Sequence, residues 1–413
     1  MMDRVPTELE RVAAVLEEEP VVEFAPRREP VAPSEWIRQN LFSGWFNGIL
    51  TILVGAVVGY LGFGLLRWAF LTADWTVIKA NLRLYMVGRF PPDELWRAWA
   101  CVYLVTTLAG MSWGVTRKRL AWTARKAATR GALAVLVLAS LAYLLNGVRI
   151  WVLVGAVVVL YAAAVIAGRL GARRLHISVI VGWVLAFPLI ILLLRGFGGV
   201  PPERWGGFLL NVLVAVVGIV VSFPIGIVLA LGRRSTLPVV RTFCIGIIEF
   251  VRGAPLYIWL LFGLFVLPFL LPVGVELPTI LRAMIVVTIF SSAYVAEIVR
   301  GGLQGVHHGQ YEAARAIGLS ATKMMAFIVL PQALRSTIPA MISHFISLFK
   351  DTSLLAVIGF IDALRIARIA PQGEFSGDLR ETLIFAALLF WVVAFAMSRW
   401  SQRLERRLGV GER

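Results

Sequence analysis

The sequence is poor in charge and nearly devoid of cysteine. Only 15% of its 413 residues are Asp, Glu, Lys or Arg, while 59% are hydrophobic. Ordinary soluble domains carry about 25% charged residues. So few charges cannot cover a soluble globule of this length, and the mean hydropathy of +0.83 places the chain in a membrane. The two cysteines, Cys101 and Cys244, sit in different apolar segments without motif spacing and read as small packed hydrophobes. Three signatures are also missing: Gly-x-x-x-x-Gly-Lys-Ser/Thr, His-Glu-x-x-His and Gly-x-Ser-x-Gly. Their absence removes the usual routes to ATP hydrolysis, zinc proteolysis and serine hydrolysis by this chain, and no catalytic residue is expected. No basic patch with interleaved aromatics stands outside the apolar runs, so the net charge of +16 does not point to nucleic acid.

What the sequence has is apolar runs. A membrane-spanning helix needs ~20 such residues. Runs of that order fall at 45–71, 98–116, 130–146, 149–168, 177–195, 207–232, 243–271, 280–300, 326–349 and 382–400. They are continuous rather than alternating, which argues for helices and against a β-barrel. The fold class is therefore an all-α integral membrane protein of about ten spans.

Arg117, Lys118, Arg119, Arg125, Lys126, Arg130, Arg169, Arg173, Arg174, Arg233, Arg234, Arg300, Arg315, Lys323, Arg403, Arg406 and Arg407 all fall on one side of this scheme. The positive-inside rule makes that side the cytosol, with both termini inside. Residues 1–44 read as a solvated cytosolic tail, with a short helix conceivable over Thr7–Glu19, and 406–413 as a second tail. The segment 72–97 faces outward yet carries Lys79, Arg83, Arg89 and Arg97. A short amphipathic helix on the outer membrane surface, with Trp75, Leu82, Tyr85, Trp96 and Trp99 toward lipid, accommodates them. The Gly-Phe-Gly-Gly-Val-Pro-Pro stretch at 196–202 divides accessory spans over 45–195 from a core over 205–405.

Between the eighth and ninth spans the chain reads Gly309-Gln310-Tyr311-Glu312-Ala313-Ala314-Arg315-Ala316-Ile317-Gly318, followed by Ile328, Leu330 and Pro331. Ala313, Ala314 and Ala316 favour helix and keep the backbone accessible. Glu312 is expected in the first helical turn, and Gly318 supplies the left-handed residue that ends the helix. A rigid cytosolic knob over 309–319 follows. This pattern resembles the EAA loop of binding-protein-dependent ABC permeases, in which the Glu-Ala-Ala, the Gly six residues after the Glu and the later Ile-x-Leu-Pro recur at fixed spacing.

The flanking stretches Glu249-Phe250-Val251-Arg252-Gly253-Ala254-Pro255-Leu256, Ala293 to Gly302, Pro331-Gln332-Ala333-Leu334-Arg335 and Phe349-Lys350-Asp351-Thr352-Ser353-Leu354 resemble the polar amino-acid branch of these permeases. Ala254 stands where that branch usually has Thr. The long N-terminal region is similar to that of general L-amino-acid permeases. The resemblance implies a type I importer core formed by the last five spans. It implies a bacterial inner-membrane importer subunit that moves amino acids by alternating access. Glu312, Ala313, Ala314, Arg315 and Gly318 would then couple it to a separate ATPase dimer. It further implies a second, homologous permease in a heterodimer and a periplasmic amino-acid-binding protein, with ATP and Mg held by the ATPase and no cofactor here. Arg252, Gly253, Pro255, Glu297, Arg300 and Pro331 are the positions through which the structural motifs match.

Glu249 with Arg252 and Glu297 with Arg300 are spaced to pair on one helix face near the cytosolic end. Ser343, His344 and Ser347, followed by Lys350 and Asp351, offer a zwitterionic substrate complementary charges, or else form the capped outer end of a span. His307 and His308 precede the knob and have no third ligand at metal spacing. An ion-coupled secondary transporter is the rival class. It would show inverted repeats and mid-membrane acids, which the sequence lacks.

Overall fold

The computed structural model describes residues 32–116, 148–170, 172–372 and 375–408. The expected span over 130–146, the cations from Arg117 to Arg130 and the short helix over Thr7–Glu19 lie outside these residues. Every regular element among the described residues is helical, and the chain divides into two compact units, Met1–Ala73 and Asp74–Arg413.

In the first unit, α1 spans Pro33–Leu41 inside the segment expected to be an irregular tail. Its start is explained locally: Pro33 fits the first helical turn, Glu35 lies at the positive end of the helix and Arg38 near the negative end. The following helix, α2 (Trp45–Arg67), runs into a π-helical turn over Trp68–Thr72. None of its residues is buried within the chain. A helix apolar on all sides is suited to lipid or to a partner helix.

The second unit opens with α3 (Thr76–Val87), which corrects one expectation. Tyr85 does not face lipid. It is fully buried with Val77 and Ile78, and its ring meets Phe385 edge-on at 5.1 Å. The amphipathic spacing was real, but an apolar face does not announce whether lipid or protein will cover it. Next come α4 (Leu95–Thr116), α5 (Val148–Leu170) and α6 (Ala172–Arg195). Arg97, only 7% exposed, pairs with Glu94 at 2.5 Å and donates to the Leu193 and Gly196 carbonyls at 2.9 and 3.0 Å. It thereby ties the start of α4 to the end of α6.

The centre of this unit is a parallel pair, α7 (Gly207–Arg233) and α11 (Thr279–Gln304). They approach closely because Gly226 opposes Val295: a Cβ on Gly226 would lie 2.5 Å from Val295 Cγ1. Helix α8 (Pro238–Arg252) is followed by α9 (Leu256–Leu261), a π-helical stretch over Phe262–Val266 and α10 (Leu267–Leu270). The single span expected over 243–271 is in fact broken, with the two parts at 101°. Pro255 lacks the N–H that would continue the helix and pushes Ala254 toward extended backbone, so the chain turns at Gly253-Ala254-Pro255.

Helix α12 covers His308–Ala316, and α13 (Ala321–Met324) leads through a π-helical stretch into α14 (Leu330–Asp351). The chain closes with α15 (Ala363–Ile369) and α16 (Leu379–Leu408). Phe208, Phe349 and Phe390 form an aromatic cluster joining α7, α14 and α16, with centroids 5.4 to 6.1 Å apart. Among the described residues, seven helices are long and apolar enough to cross a membrane, the bent pair adds an eighth, and α5 carries a shorter apolar run over Leu153–Arg169.

Candidate functional site

Helix α12 hangs from the ends of α11 and α13. His307 caps it by accepting the Gly309 N–H on Nδ1 at 3.1 Å. Its far end is a Schellman turn: Gly318 N donates to the Arg315 carbonyl at 2.9 Å and Leu319 N to the Ala314 carbonyl at 3.1 Å. Gly318 has φ +76°, the conformation its sequence position required. Two details differ from expectation. The helix begins at His308 rather than Gly309, so His308 belongs to it while His307 precedes it as the cap. Glu312 lies beyond the first turn, and its carboxylate reaches back one turn to the His308 side chain, with Nδ1 at 3.0 Å.

The knob has an inner and an outer face. Ala314, 1% exposed, joins an apolar cluster containing Leu303, Met324 and Val329. Tyr311 OH donates to the Leu303 carbonyl at 3.4 Å and Gln332 Nε2 to Gln310 Oε1 at 3.0 Å, holding α12 to α11 and α14. Glu312, Ala313, Arg315, Ala316 and Ile317 are exposed. The outer face thus combines two methyl-sized side chains, two charges and one large apolar residue.

At the same end of the bundle lies a charge cluster that helix spacing alone did not reveal. Glu297 pairs with Arg300 and lies 3.4 Å from Arg233 and 3.7 Å from Arg252. Glu249 pairs with Arg233 at 2.9 Å. The Glu297–Arg300 pair is as spacing predicted. Glu249 instead reaches across to α7, and Arg252 to α11. Three helices are therefore linked by ions beside the knob.

The suggested substrate-path residues separate into two faces of α14. His344 turns to α11, with Nε2 3.0 Å from Ser291 Oγ and its ring stacked on Tyr294 at 5.5 Å. Ser291 donates onward to Ser222 Oγ at 2.9 Å, and the Arg252 guanidinium lies over the Tyr294 ring. Ser343, Ser347 and Lys350 instead share an exposed stripe with Ser336 and Ala340, at helical spacing of three and four, while Asp351 is half-buried. A further polar centre escaped the sequence reading. Asn211 donates to Thr352 O and Asp362 Oδ2, each at 3.0 Å, and accepts the Ala363 N–H at 3.2 Å. Asp362 accepts the Arg365 N–H at 2.9 Å, capping α15. Burial raises the Asp362 carboxyl above its usual range, against the pull of these hydrogen bonds. Two lone polar residues 151 positions apart leave no local spacing to read.

Among the described residues no group of three His, Cys, Asp or Glu is placed to hold a metal ion. Several helices long and apolar enough to cross a membrane mark a multi-pass membrane protein. Comparison with known proteins makes this specific. Residues 222–410 match the family described as binding-protein-dependent transport system inner membrane component. The Escherichia coli K12 inner membrane amino-acid ABC transporter permease protein YhdY is 34% identical, over 91% of this chain and 93% of its own. The Rhodobacter capsulatus glutamate/glutamine/aspartate/asparagine transport system permease protein BztC is 36% identical, over 93% of this chain and 96% of its own. A solved structure described as an amino acid ABC transporter with histidines is 30% identical over 49% of this chain and 92% of its own, with a TM-score of 0.45. The chain belongs to the amino-acid ABC transporter permeases, multi-pass subunits of the inner membrane.

Proposed function

We propose that this chain forms half of the translocation pathway of an ATP-driven amino-acid importer and that α12 is the element through which a separate ATPase drives it. The exposed face of α12, closed by the Schellman turn at Gly318, is the observation that carries the reading. Small side chains at Ala313 and Ala316 let a partner approach the helix backbone, and Glu312 and Arg315 supply charged contacts at its edge. The tie of Tyr311 to Leu303 and the ion cluster around Glu297 give a displacement of α12 a mechanical route into α7, α8 and α11. ATP-driven closure of the ATPase dimer then reorients these spans by alternating access.

The stripe Ser343, Ser347 and Lys350 on α14 supplies polar wall for the pathway. A homologous second permease provides the opposite wall, and a periplasmic binding protein delivers the substrate. Relatives named for glutamate, glutamine, aspartate and asparagine support polar amino acids as the substrate class. Both termini lie in the cytosol, with Arg233, Arg234 and Arg300 at the end that bears α12.

The test is to purify the assembled complex carrying Gly318→Leu or Glu312→Ala and to measure both ATPase stimulation by loaded binding protein and amino-acid uptake. Both variants should insert and assemble yet lose coupling, Gly318→Leu the more, because leucine opposes the left-handed turn by ~1–2 kcal/mol. Wild-type stimulation and uptake in both would remove α12 from the mechanism.

A further inference from the structure

A cavity of about 360 Å³ opens at the end of α7 and α11 remote from α12. Helix α7 has 27 residues, so the two ends are ~40 Å apart, and the cavity lies across the membrane from the knob. Its volume falls within the ~300–1,000 Å³ usual for small-molecule pockets. Leu264, Ile280 and Phe360 give it apolar wall, and Trp205, 5% exposed, closes one side with its indole N–H donated to the Val200 carbonyl at 3.0 Å.

Three charged side chains line this cavity: Arg89, Glu203 and Arg204. None of them has a hydrogen bond or ion pair through its side chain among the described residues. They differ in this from the charges beside α12, which are paired with one another. Arg89 is placed by a constrained joint. Gly88 has φ +64°, and a Cβ there would lie 2.4 Å from Gly206 Cα, so the chain leaving α3 is held against the start of α7. Both α7 and α11 begin at the cavity, with Gly206 and Thr279 in its lining, so two helix starts add positive potential to the two guanidiniums.

We infer that this cavity is an outer receiving site for a dicarboxylic amino acid, whose two carboxylates pair with Arg89 and Arg204 and whose ammonium pairs with Glu203. The charge count carries the choice: two cations and one anion complement two carboxylates and one ammonium, and a neutral amino acid leaves one guanidinium unmatched. The apolar wall receives the methylene stem. The site is separate from the α14 stripe, and its role as a first stop for arriving substrate rests on the importer reading above.

The experiment uses the assembled transporter in lipid nanodiscs without binding protein, and measures equilibrium binding of radiolabelled glutamate and glutamine to wild type, Arg89→Gln and Arg204→Gln. All three positions of the charged set are exposed, so the substitutions should leave the fold intact. Wild type should prefer glutamate. One Arg→Gln change should weaken both ligands and the other glutamate alone, each by about tenfold or more. Glutamate binding unchanged in both variants would overturn the inference. A separate docking assay with binding protein added to the same nanodiscs completes the test: unchanged glutamate binding with lost docking would also overturn the inference, since the carboxylates accepted here would then belong to that protein. ATP-driven uptake by wild type is measured in parallel. If uptake is present while binding is unaffected by either change, the receiving site fails and the importer reading stands; if wild type imports nothing, the importer reading fails by itself.

Discussion

Asn211 on α7 donates its side-chain amide to Asp362 Oδ2 at 3.0 Å, and neither residue has any exposed surface. The same amide reaches the Thr352 carbonyl, and the Asn211 oxygen accepts the Ala363 N–H. One side chain thus satisfies three groups on the segment that follows α14. Asn211→Ala would leave a buried carboxylate short of a donor and a backbone N–H without an acceptor. The expected loss of stability is ~3 kcal/mol or more, read as a lowered midpoint in detergent unfolding of the purified chain. A change within about 0.5 kcal/mol would mean that the network is dispensable.

Helix approach gives a sharper contrast. Gly226→Ala puts a methyl 2.5 Å from Val295 Cγ1 and 3.0 Å from the Ser292 carbonyl, forcing α7 from α11. Such overpacking costs ~1–3 kcal/mol. Gly246→Ala, on α8, meets nothing within 4 Å and should be neutral or slightly stabilising through helix propensity. Thermal unfolding of the two variants side by side checks the geometry.

The ion cluster predicts an asymmetry between its two acids. Glu297 is approached by Arg300, Arg233 and Arg252 and is 23% exposed, whereas Glu249 has Arg233 alone and is 54% exposed. Glu249→Ala should cost under about 1 kcal/mol, as exposed pairs do. Glu297→Ala strands Arg252 and Arg300 and leaves Arg233 with Glu249 alone, so it should cost about 2 kcal/mol. Equal losses would contradict the shared role of Glu297.

Membrane orientation is open to direct chemistry. Cys101 and Cys244 are each only 7% exposed, so background labelling should be low. A cysteine at Val273, in the wide-open loop before α11, should react with an impermeant maleimide from outside the cell. A cysteine at Ala316 on the outer face of α12 should react only after the membrane is breached. The reverse pattern would invert the topology.

Much of this architecture was legible because lipid imposes length on apolar runs. The spans beginning near Trp45, Ile177, Gly207, Thr279 and Leu379 follow directly from hydropathy. The knob was legible because its terminating turn demands a residue free to take φ +76°, and glycine at 318 advertises it. The break at Gly253-Ala254-Pro255 was not read as one. Hydropathy averaged along a segment is blind to direction, and apolar residues continue on both sides of the bend. Tyr85 was assigned to lipid because periodicity identifies a buried face without its partner. The Asn211–Asp362 pair and the cross-helix reach of Glu249 to Arg233 depend on contacts between distant positions, which no local pattern encodes.

The most direct test of the central claim concerns the energy source. The chain should be reconstituted in liposomes with its partner permease and ATPase, with binding protein and amino acid on the side opposite the nucleotide, and with no ion gradient. Uptake should require ATP and binding protein together, and this chain alone should neither hydrolyse ATP nor transport. Amino-acid uptake by the chain alone, driven by a sodium or proton gradient and indifferent to ATP, would contradict the account and favour a secondary transporter.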